Sequence, residues 1–518
     1  MDVSSLRAEL ATLRNETSAR LDSLSEAIGT TWTLFAVVVI FLMQAGFSML
    51  EAGSVREKGV RDILLKNLLD TALGSFAWVL IGCTLAKGAG NAFTGGWPEL
   101  SNETVTPFDA VLSSHGDDDM GKYMLGFMYA IASATIVSGS IAERTQQRAY
   151  MIASSCVTGF LYPVVYHWLW SETGWLSCAN PDALLGGAFD FAGGGVVHMT
   201  AGVLALVAAK AVGPRRGRFD QLTGRPLELR GHSSVLVVLG TFLLWVGWIG
   251  FNIGSVPDIT AVGAPNVAAR TAVRTTLSAS AGLLAAIVVA RCRAKQRQVW
   301  SLEHACNGLL AGLVSITASA PVVSHWAALL IGAIGGVLYY WSSRAVARFL
   351  KVDDVIDAFA VHGVCGLWSL IVVGLTADGS ETCNGEPAIG VLAGGDGRLL
   401  GAAVITAVSI GSWALLGGFV LFGTLRKAEL LRVPDDVEIT GIDIVELGRP
   451  AYSSSQDESV HGRPQHAAAR PISPTETESL AGSSAAGAVA SGVAIDATGS
   501  SGVVEGRPVM AGDEEGRL

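Results

Sequence analysis

The chain has 518 residues, of which half are apolar and only 15% are charged. This balance excludes an ordinary soluble enzyme and predicts a polytopic helical membrane protein, in which the 62 glycines would let helices approach closely. The formal net charge of -10 comes mainly from residues 433–518, which hold 14 acidic and 5 basic side chains.

The first predicted element is an amphipathic helix over residues 5–28. Its apolar side chains recur every three to four residues, as one face of a helix requires. They are Leu6, Leu10, Leu13, Leu21, Leu24 and Ile28. Two interpretations stay open, because about three heptads are few for a coiled coil. The helix lies on the surface of its own subunit, or it forms a contact between subunits.

Eleven apolar segments are long enough to cross a hydrocarbon core of about 30 Å. They lie at 32–51, 67–89, 123–142, 149–170, 192–213, 234–253, 268–290, 303–319, 323–341, 358–376 and 400–424. The predicted fold class is therefore an all-α polytopic membrane protein with eleven transmembrane helices. An odd number of crossings places the two termini on opposite sides of the membrane.

Charge in the loops orients the predicted spans. One of the two alternating loop sets carries 19 Lys and Arg, whereas the other set carries few. The loops of the basic set lie at 52–66, 143–148, 210–232, 291–302 and 342–354. Because basic loops stay in the cytoplasm, the N-terminus is predicted outside and the C-terminus inside. The sequons at Asn15 and Asn102 fall on the predicted outer side and are candidate glycosylation sites.

The predicted domain organisation has four parts. They are an extracellular N-terminal helix at 1–30, a transmembrane domain at 31–427, a cytoplasmic C-terminal regulatory segment at 428–452 and a tail at 453–518. The tail is rich in Ser, Gly, Ala, Pro and acidic residues, a composition that predicts disorder. Ser473 precedes a proline in this tail and is a candidate phosphorylation site.

Ionisable residues inside a membrane span are functional candidates by default. The four singled out here are Asp190, His198, Asp357 and His362. Each histidine lies about seven residues into its span, the fifth or the tenth, and is thus about 10 Å deep from opposite faces. Two five-helix halves inserted upside down relative to each other would produce this arrangement, and transporters hold their substrates at such an interface.

The two histidines favour proton or solute chemistry over a metal site. A neutral imidazole offers one donor and one acceptor and titrates near neutral pH, so a pair could pass on a proton. A bare cation would be costly there, up to the order of 20 kcal/mol in the idealised limit. Zinc would need a third ligand, for which only Cys365 is near, and no metal is predicted. Asp190 and Asp357 are interpreted as structural N-caps.

The predicted outer face is acidic and aromatic. Its loops between the spans hold 14 Asp and Glu, which would raise the local concentration of cations. Aromatic side chains cluster at the outer ends of the third, fourth and sixth spans. They fit either an interfacial belt or a cation-π site for a cation that loses its water.

Six segments occur together in one order along the chain. They are Gln44–Arg56 (QAGFSMLEAGSVR), Gly139–Arg144 (GSIAER), Tyr162–Trp170 (YPVVYHWLW), Asp190–His198 (DFAGGGVVH), Gly247–Ser255 (GWIGFNIGS) and Val361–Gly366 (VHGVCG). In this combination, residues 30–445 resemble the Amt/Mep/Rh ammonium transporters, particularly those of the plant and algal Amt type. The resemblance implies a homotrimer of eleven-span subunits with an inverted five-helix repeat, each subunit holding its own narrow hydrophobic pore.

The resemblance also implies roles for single residues. Trp170 and Ser255 would recruit ammonium at the outer face, with Asp190 supporting them from beneath. His198 and His362 would be twin histidines that line the pore.

Further inward from the recruitment site, Phe251 would be one of two stacked gate rings, and Trp248 would help to wall the pore. The other gate position usually holds Phe in the family, and here it is Tyr129, which adds a hydroxyl. Its π face should preserve recruitment, while gating or selectivity changes.

Two other features concern regulation and the outer loops. Val445 stands where plant members carry a threonine whose phosphorylation shuts the trimer, so that switch is absent at this position. Cys178 and Cys383 are the only cysteines in predicted outer loops, where a disulfide is permitted.

The predicted function is ammonium transport: NH4+ is deprotonated, NH3 passes through the pore, the proton travels by way of the histidines, and the net flux carries charge. An ammonium sensor that signals through the tail and an Rh-like electroneutral gas channel remain alternatives. An enzyme is not predicted, because no nucleophile with a base appears.

The predicted partners are ammonium, ammonia, the proton, the lipid bilayer, other copies in a homotrimer, and a kinase or signalling partner at the tail. No nucleic acid or cofactor is predicted, and the predicted location is the plasma membrane.

Overall fold

The computed structural model describes residues 2–88, 90–96, 120–294 and 300–452. The sequon at Asn102, the candidate phosphorylation site at Ser473 and the predicted tail at 453–518 lie outside the described residues.

Eleven apolar helices follow one another in the described part of the chain. They are α1 (Val3–Ser54), α2 (Glu57–Lys87), α3 (Met120–Ser140), α4 (Gln147–Trp170), α5 (Gly194–Val212), α6 (Ser234–Ile253), α7 (Ala264–Arg293), α8 (Leu302–Ile316), α9 (His325–Leu350), α10 (Phe359–Thr376) and α11 (Arg398–Lys427). Ten of them are long and apolar enough to cross a membrane, whereas α8 is a shorter apolar helix of 15 residues. The structure is thus predominantly helical, and the count of eleven crossings stays a prediction.

Serine side chains mark several helix starts. The hydroxyl groups of Ser233, Ser301 and Ser324 accept hydrogen bonds from the first turns of α6, α8 and α9. Such caps satisfy backbone N–H groups that have no partner within the helix. The main hydrophobic core contains residues from all eleven apolar helices, among them α1, α3, α5, α6 and α10, which surround the candidate site.

The N-terminal helix and the first span are one element. The sequence predicts an amphipathic helix at 5–28 and a separate span at 32–51, but α1 runs without interruption over 52 residues. At 1.5 Å per residue this is about 78 Å, far longer than a bilayer is thick. Residues 2–24 are all exposed, so the segment does not lie on its own subunit.

A short β-hairpin departs from the all-α prediction. Strand β1 (Asp378–Cys383) pairs antiparallel with β2 (Glu386–Ile389). Asn384 and Gly385, which connect the strands, both have positive φ, as the favoured two-residue hairpin turn requires. A disulfide joins Cys383 to Cys178, so the hairpin is linked to the loop between α4 and α5.

Glycines bring the helices into backbone contact. A Cβ at Gly240 in α6 would lie 2.3 Å from the backbone N of Leu50 in α1, and one at Gly282 in α7 would lie 2.4 Å from the carbonyl O of Gly308 in α8. Any side chain at these positions would force the helices apart. This small-residue packing is typical of helices within a membrane.

Buried ion pairs hold one end of the bundle together. This end, named the basic end, is formed by residues 55–62, 143–146, 213–218 and 351–358. The guanidinium of Arg215 lies 2.6 Å from Glu143 and 2.8 Å from Asp353, and Arg218 lies 3.0 Å from Asp353. Loops that the charge count assigns to one side of the membrane are therefore adjacent in the structure.

The pKa of Asp353 reflects this network. Burial alone would raise its pKa, but Arg144 and Arg215 outweigh burial and hold the pKa well below the ordinary value. In the unfolded chain the carboxyl group has a pKa of about 3.9. The network therefore contributes its full stability above that pH and loses it as the pH falls toward the lower pKa of the folded state.

Replacing Asp353 by Asn is expected to lower the free energy of unfolding by about 3–5 kcal/mol, because it leaves buried guanidinium groups short of a counter-charge. Asp396→Asn is the matched control, since Asp396 pairs with Arg398 where both side chains are exposed, and its loss should cost about 1 kcal/mol or less. Thermal unfolding of the purified variants at pH 7 checks both values. Equal losses in the two variants would contradict the buried-network account.

The C-terminal segment docks on the basic end. Helices α12 (Asp435–Thr440) and α13 (Ile442–Leu447) follow α11. The carboxylate of Asp443 accepts hydrogen bonds from the backbone N–H groups of Arg61 and Asp62 at 2.9 and 2.8 Å. Glu438 lies 2.6 Å from Arg432. The segment thus caps the start of α2.

Candidate functional site

The two histidines occupy matching places in α5 and α10. Each helix begins with a π-helical segment, Gly194–Met199 in α5 and Phe359–Val364 in α10. His198 lies in the first segment and His362 in the second. Short π-helical stretches are rare in proteins overall, and those that occur are often found at functional sites.

Asp190 organises the start of α5. Its Oδ1 accepts the backbone N–H groups of Gly193 and Gly194 at 3.1 and 2.8 Å, and its Oδ2 accepts those of Gly195 and Val196 at 2.8 and 2.9 Å. All four donors belong to the first turn, where no helical partner exists. The structure thus places at Asp190 the capping contacts that the sequence predicts.

Glycines four residues after each histidine bring α5 and α10 together. A Cβ at Gly202 would lie 2.1 Å from the backbone N of Gly363, and one at Gly366 would lie 2.6 Å from the carbonyl O of Gly194. In each of the two helices, the glycine four residues after the histidine is therefore in close contact with the backbone of the other helix. Sequence reasoning missed this repeated spacing, which is visible as His198-x3-Gly202 and His362-x3-Gly366.

The histidine side chains meet in the interior. Their Nδ1 atoms are 3.3 Å apart, and the imidazoles are 0% and 2% exposed. The Trp248 ring stacks on His198 with centroids 4.6 Å apart and an interplanar angle of 18°. The indole N–H of Trp248 donates to the hydroxyl of Thr317 at 2.9 Å, which fixes the ring against the pair.

The Nδ1 contact restricts the protonation of the pair. One Nδ1 must carry the hydrogen and the other must accept it, whichever way the proton lies. In the neutral pair, one Nε2 is then an acceptor and the other is a donor. His198 Nε2 is buried and has no hydrogen-bond partner among the described residues, so it is available to a small solute.

Two aromatic rings continue the cluster from His198 toward the partly exposed end. The rings of Tyr129 and Phe251 have centroids 4.5 Å apart, and both residues are buried. The Tyr129 hydroxyl lies 2.7 Å from the hydroxyl of Ser255, which itself donates to the carbonyl of Phe251 at 3.0 Å. The added hydroxyl is therefore hydrogen-bonded at the rim and does not point freely between the rings.

Trp170 packs beside the Tyr129 ring at the partly exposed end. Its ring centroid is 5.7 Å from that of Tyr129, and its indole N–H donates to the carbonyl of Asp190 at 2.7 Å. Asp190 thus contributes to two parts of the site, because its carboxylate caps α5 and its backbone orients the tryptophan.

Together these side chains form a continuous column of rings. From the partly exposed end inward, successive centroids are 5.7, 4.5, 5.6, 5.2 and 6.3 Å apart. The column consists of Trp170, Tyr129, Phe251, His198, His362 and Phe47. Phe47 was missed by sequence reasoning, although it lies in one of the six segments that carry the family resemblance.

Asp357 does not cap α10, which corrects the sequence interpretation. Its carboxylate lies 2.8 Å from the hydroxyl of Ser343 and 3.3 Å from that of Tyr339. Asp354 instead accepts the backbone N–H of Phe359 at 2.8 Å. Burial, reinforced by the charge of Asp357, raises the pKa of Asp354 to about 7.

Sequence reasoning also overlooked two acidic residues within its own predicted spans. Glu51 and Asp70 are fully buried. Glu51 accepts a hydrogen bond from the Asn67 side chain at 2.9 Å, and Asp70 accepts one from the Thr135 hydroxyl at 2.9 Å. They join α1, α2 and α3 beside the column and do not belong to it.

No group of three or more His, Cys, Asp or Glu side chains that could hold a metal ion occurs among the residues the structure describes. The Cys365 thiol, the third ligand weighed from the sequence, lies 3.5 and 3.4 Å from the carbonyls of Gly335 and Ala360. Asn15 is exposed on α1. The disulfide joins Cys178, in the loop between α4 and α5, to Cys383, at the end of β1, and neither residue belongs to the column.

Comparisons with known proteins agree on one family. The family model described as Ammonium Transporter Family matches residues 31–452. Ammonium transporter 1 member 3 of Solanum lycopersicum is 41% identical over 455 residues, covering 84% of this chain and 95% of the relative. Ammonium transporter 1 member 2 of Arabidopsis thaliana is 40% identical over 446 residues, covering 83% of this chain and 84% of the relative.

Solved structures give the same result. A structure described as a Sensor Amt Protein superposes with a TM-score of 0.73 at 29% identity, covering 82% of this chain and 99% of that one. Mep2 of Saccharomyces cerevisiae superposes with a TM-score of 0.66 at 25% identity, covering 79% of this chain and 89% of that one.

Proposed function

Because this chain belongs to the ammonium transporter family, which is a family of transporters and not of enzymes, we propose that it conducts ammonium across a membrane by way of the column of rings. The observation that carries the proposal is the direct Nδ1 contact between His198 and His362 beneath a closed aromatic gate.

The partly exposed end of the column suits recruitment of a cation. The faces of Trp170 and Tyr129 can attract NH4+, and the Ser255 hydroxyl can accept one of its hydrogen bonds. Acidic loops at that end would raise the local concentration of the cation.

The interior beyond the gate would distinguish ammonium from other cations by whether the cation can give up a proton. An ammonium-sized ion entering a dry, apolar interior loses hydration worth up to the order of 20 kcal/mol in the idealised limit. Ammonium can avoid this cost by giving up a proton, whereas potassium cannot. Neutral NH3 then passes between Phe251 and the buried imidazoles.

The histidine pair provides a route for the proton. An Nε2 that accepts a proton makes its imidazole cationic, and the hydrogen on its Nδ1 can shift to the Nδ1 of the other ring. The second ring then releases the hydrogen on its own Nε2. One N–H bond forms and one breaks at each ring, so the pair transmits one proton and stays neutral overall. Transfer of NH3 and H+ in the same direction carries one positive charge for each ammonium.

The proposal includes a location and an assembly. The protein would lie in the plasma membrane as a homotrimer, with the N-terminus outside and the basic end in the cytoplasm. Segment 428–452, which docks on the basic end through Asp443, would be regulatory. A kinase or signalling partner would act on the tail beyond it.

Removing the gate hydroxyl tests how ammonium is recruited. Tyr129→Phe frees a lone pair of the Ser255 hydroxyl for the incoming cation. One hydrogen bond of about 1 kcal/mol predicts a half-saturation concentration for ammonium lower by about three- to fivefold, with little change in maximal uptake.

Concentration-dependent uptake of labelled methylammonium measures this shift. Tyr340→Phe is the control, because it removes a buried hydroxyl on α9 away from the column. A half-saturation constant that stays the same or rises in Tyr129→Phe would show that Ser255 does not receive the cation.

A sensor is the second candidate function, since one structural neighbour is described as a Sensor Amt Protein. In a sensor, the pore would carry little flux and the tail would signal. Removing residues 453–518 separates the two functions. Signalling that is lost on truncation, with little uptake before or after it, favours the sensor, whereas signalling that survives the truncation argues against it. Flux without charge would instead favour the electroneutral gas channel.

A further inference from the structure

The N-terminal part of α1 carries an apolar face that its own chain does not cover. Its leucines are about half to two-thirds exposed, from 53% at Leu6 to 70% at Leu10. The helix is continuous with the membrane span, so it projects from the bundle as a rigid rod. An exposed stripe of this size in water usually marks an interaction surface.

Four of the six apolar residues of the stripe, Leu6, Leu10, Leu13 and Leu24, fall at the seam positions a and d of a heptad, and the other two, Leu21 and Ile28, fall at the flanking e positions. With Leu6 at position d, the a positions hold Val3, Leu10, Thr17 and Leu24, and the d positions hold Leu6, Leu13, Arg20 and Ala27. Apolar residues at a and d are the signature of a coiled-coil seam. Thr17 and Arg20 form a polar layer within it, and a polar a position is a known means of fixing register at some cost in stability.

The charged residues at positions e and g, beside the seam, identify the partner as a parallel copy of the same helix. In this register Asp2 and Glu9 occupy g, while Arg7 and Arg14 occupy e. A parallel coiled coil places each g residue beside the e residue five positions later in the next helix. Asp2 would then face Arg7 of another copy, and Glu9 would face Arg14. An antiparallel pair would bring g beside g and e beside e, which sets like charges together.

The way in which copies of the chain insert in a membrane also favours parallel helices. Copies inserted the same way in a membrane present this segment from the same face, so their helices are parallel. The sequon residue Asn15 falls at position f, the outermost point of a coiled coil, where a glycan would not enter the seam.

We propose that residues 3–28 form a parallel coiled coil with the same segment of other copies of this chain. The segment thereby joins the subunits of the oligomer on the side of the membrane from which α1 emerges. The proposal does not depend on which solute is transported.

Cysteine cross-linking in membranes tests the proposal on the full-length chain. Leu10→Cys lies at an a position, and Ala8→Cys is the matched control at f, on the opposite side of the helix. Both are made in a Cys292→Ser background, because Cys292 is the exposed free cysteine of the described residues. Both sites are exposed, so neither change should affect folding, and surface expression verifies this.

Mild oxidation should join copies of Leu10→Cys into covalent dimers and leave Ala8→Cys monomeric on denaturing gels, because seam positions such as a bring Cα atoms within disulfide reach and f positions do not. Glu9→Arg added to Leu10→Cys should abolish cross-linking, and Arg14→Glu added as well should restore it. Equal cross-linking at positions 8 and 10, no cross-linking at either, or no response to charge reversal would each overturn the proposal.

Discussion

Replacing both His198 and His362 by alanine is expected to abolish saturable ammonium transport while leaving the protein folded. The double variant removes the Nδ1 contact and both Nε2 atoms that the proposed proton route uses. A positioned acid-base group typically contributes about 10²- to 10⁴-fold, so uptake of labelled methylammonium should fall by at least the order of 10²-fold. The space left by two imidazoles would also admit water, and selectivity against potassium should fall.

The control for this experiment is His325→Ala. His325 is an exposed histidine at the start of α9, so its replacement removes an imidazole without touching the column. Surface expression of each variant separates lost transport from lost protein. Undiminished uptake and unchanged potassium selectivity in the double variant would remove the histidine pair from the mechanism.

Replacing Asp190 by alanine is expected to destabilise the protein and to eliminate transport together. The carboxylate accepts four backbone N–H groups at the start of α5. Hydrogen bonds to a charged group are worth about 1.5–3 kcal/mol each, and their loss leaves buried donors unpaired. Even without full additivity, the free energy of unfolding should fall by about 3 kcal/mol or more.

Asp190→Asn should be intermediate, because one amide oxygen can still accept two of the four donors. Asp182→Ala is the matched control, since Asp182 is an exposed acid in the same loop. Thermal unfolding of the purified protein and uptake in cells are measured on all three variants. A stable Asp190→Ala protein with normal uptake would show that the cap is dispensable.

The family and the candidate site were accessible from the sequence because both depend on rare residue types in apolar surroundings. Histidines within apolar spans are costly and few, so His198 and His362 stood out. The family prediction is confirmed by the family model and by the relatives at about 40% identity. The side chains predicted to recruit, gate and conduct lie in one column, although their roles remain proposals.

Other features were less accessible because they depend on local backbone geometry. The continuity of α1 was hidden by the change in hydropathy near residue 30, although no proline interrupts the pattern and Gly29 alone does not end the helix. The hairpin was missed even though Asn384-Gly385 is a strong turn signal. Asp354 and Asp357 are both acids near a helix start, and only the backbone, with φ of 59° at Asp357, decides which one caps.

Buried acids were the clearest omission. Glu51 and Asp70 lie inside predicted spans, but they were not weighed with Asp190 and Asp357. Their partners Asn67 and Thr135 come from other helices, so the sequence alone does not reveal that these carboxylates are satisfied. Tertiary contacts between polar groups on separate helices are not encoded in local periodicity.

The most direct test of the central claim is ammonium-evoked current through the wild-type protein in a voltage-clamped cell, measured together with isotope uptake in the same cell. The account predicts a saturable inward current with about one positive charge for each ammonium taken up, because NH3 and its proton cross in the same direction. Uptake without current, at confirmed surface expression, would contradict it and indicate electroneutral passage of ammonia.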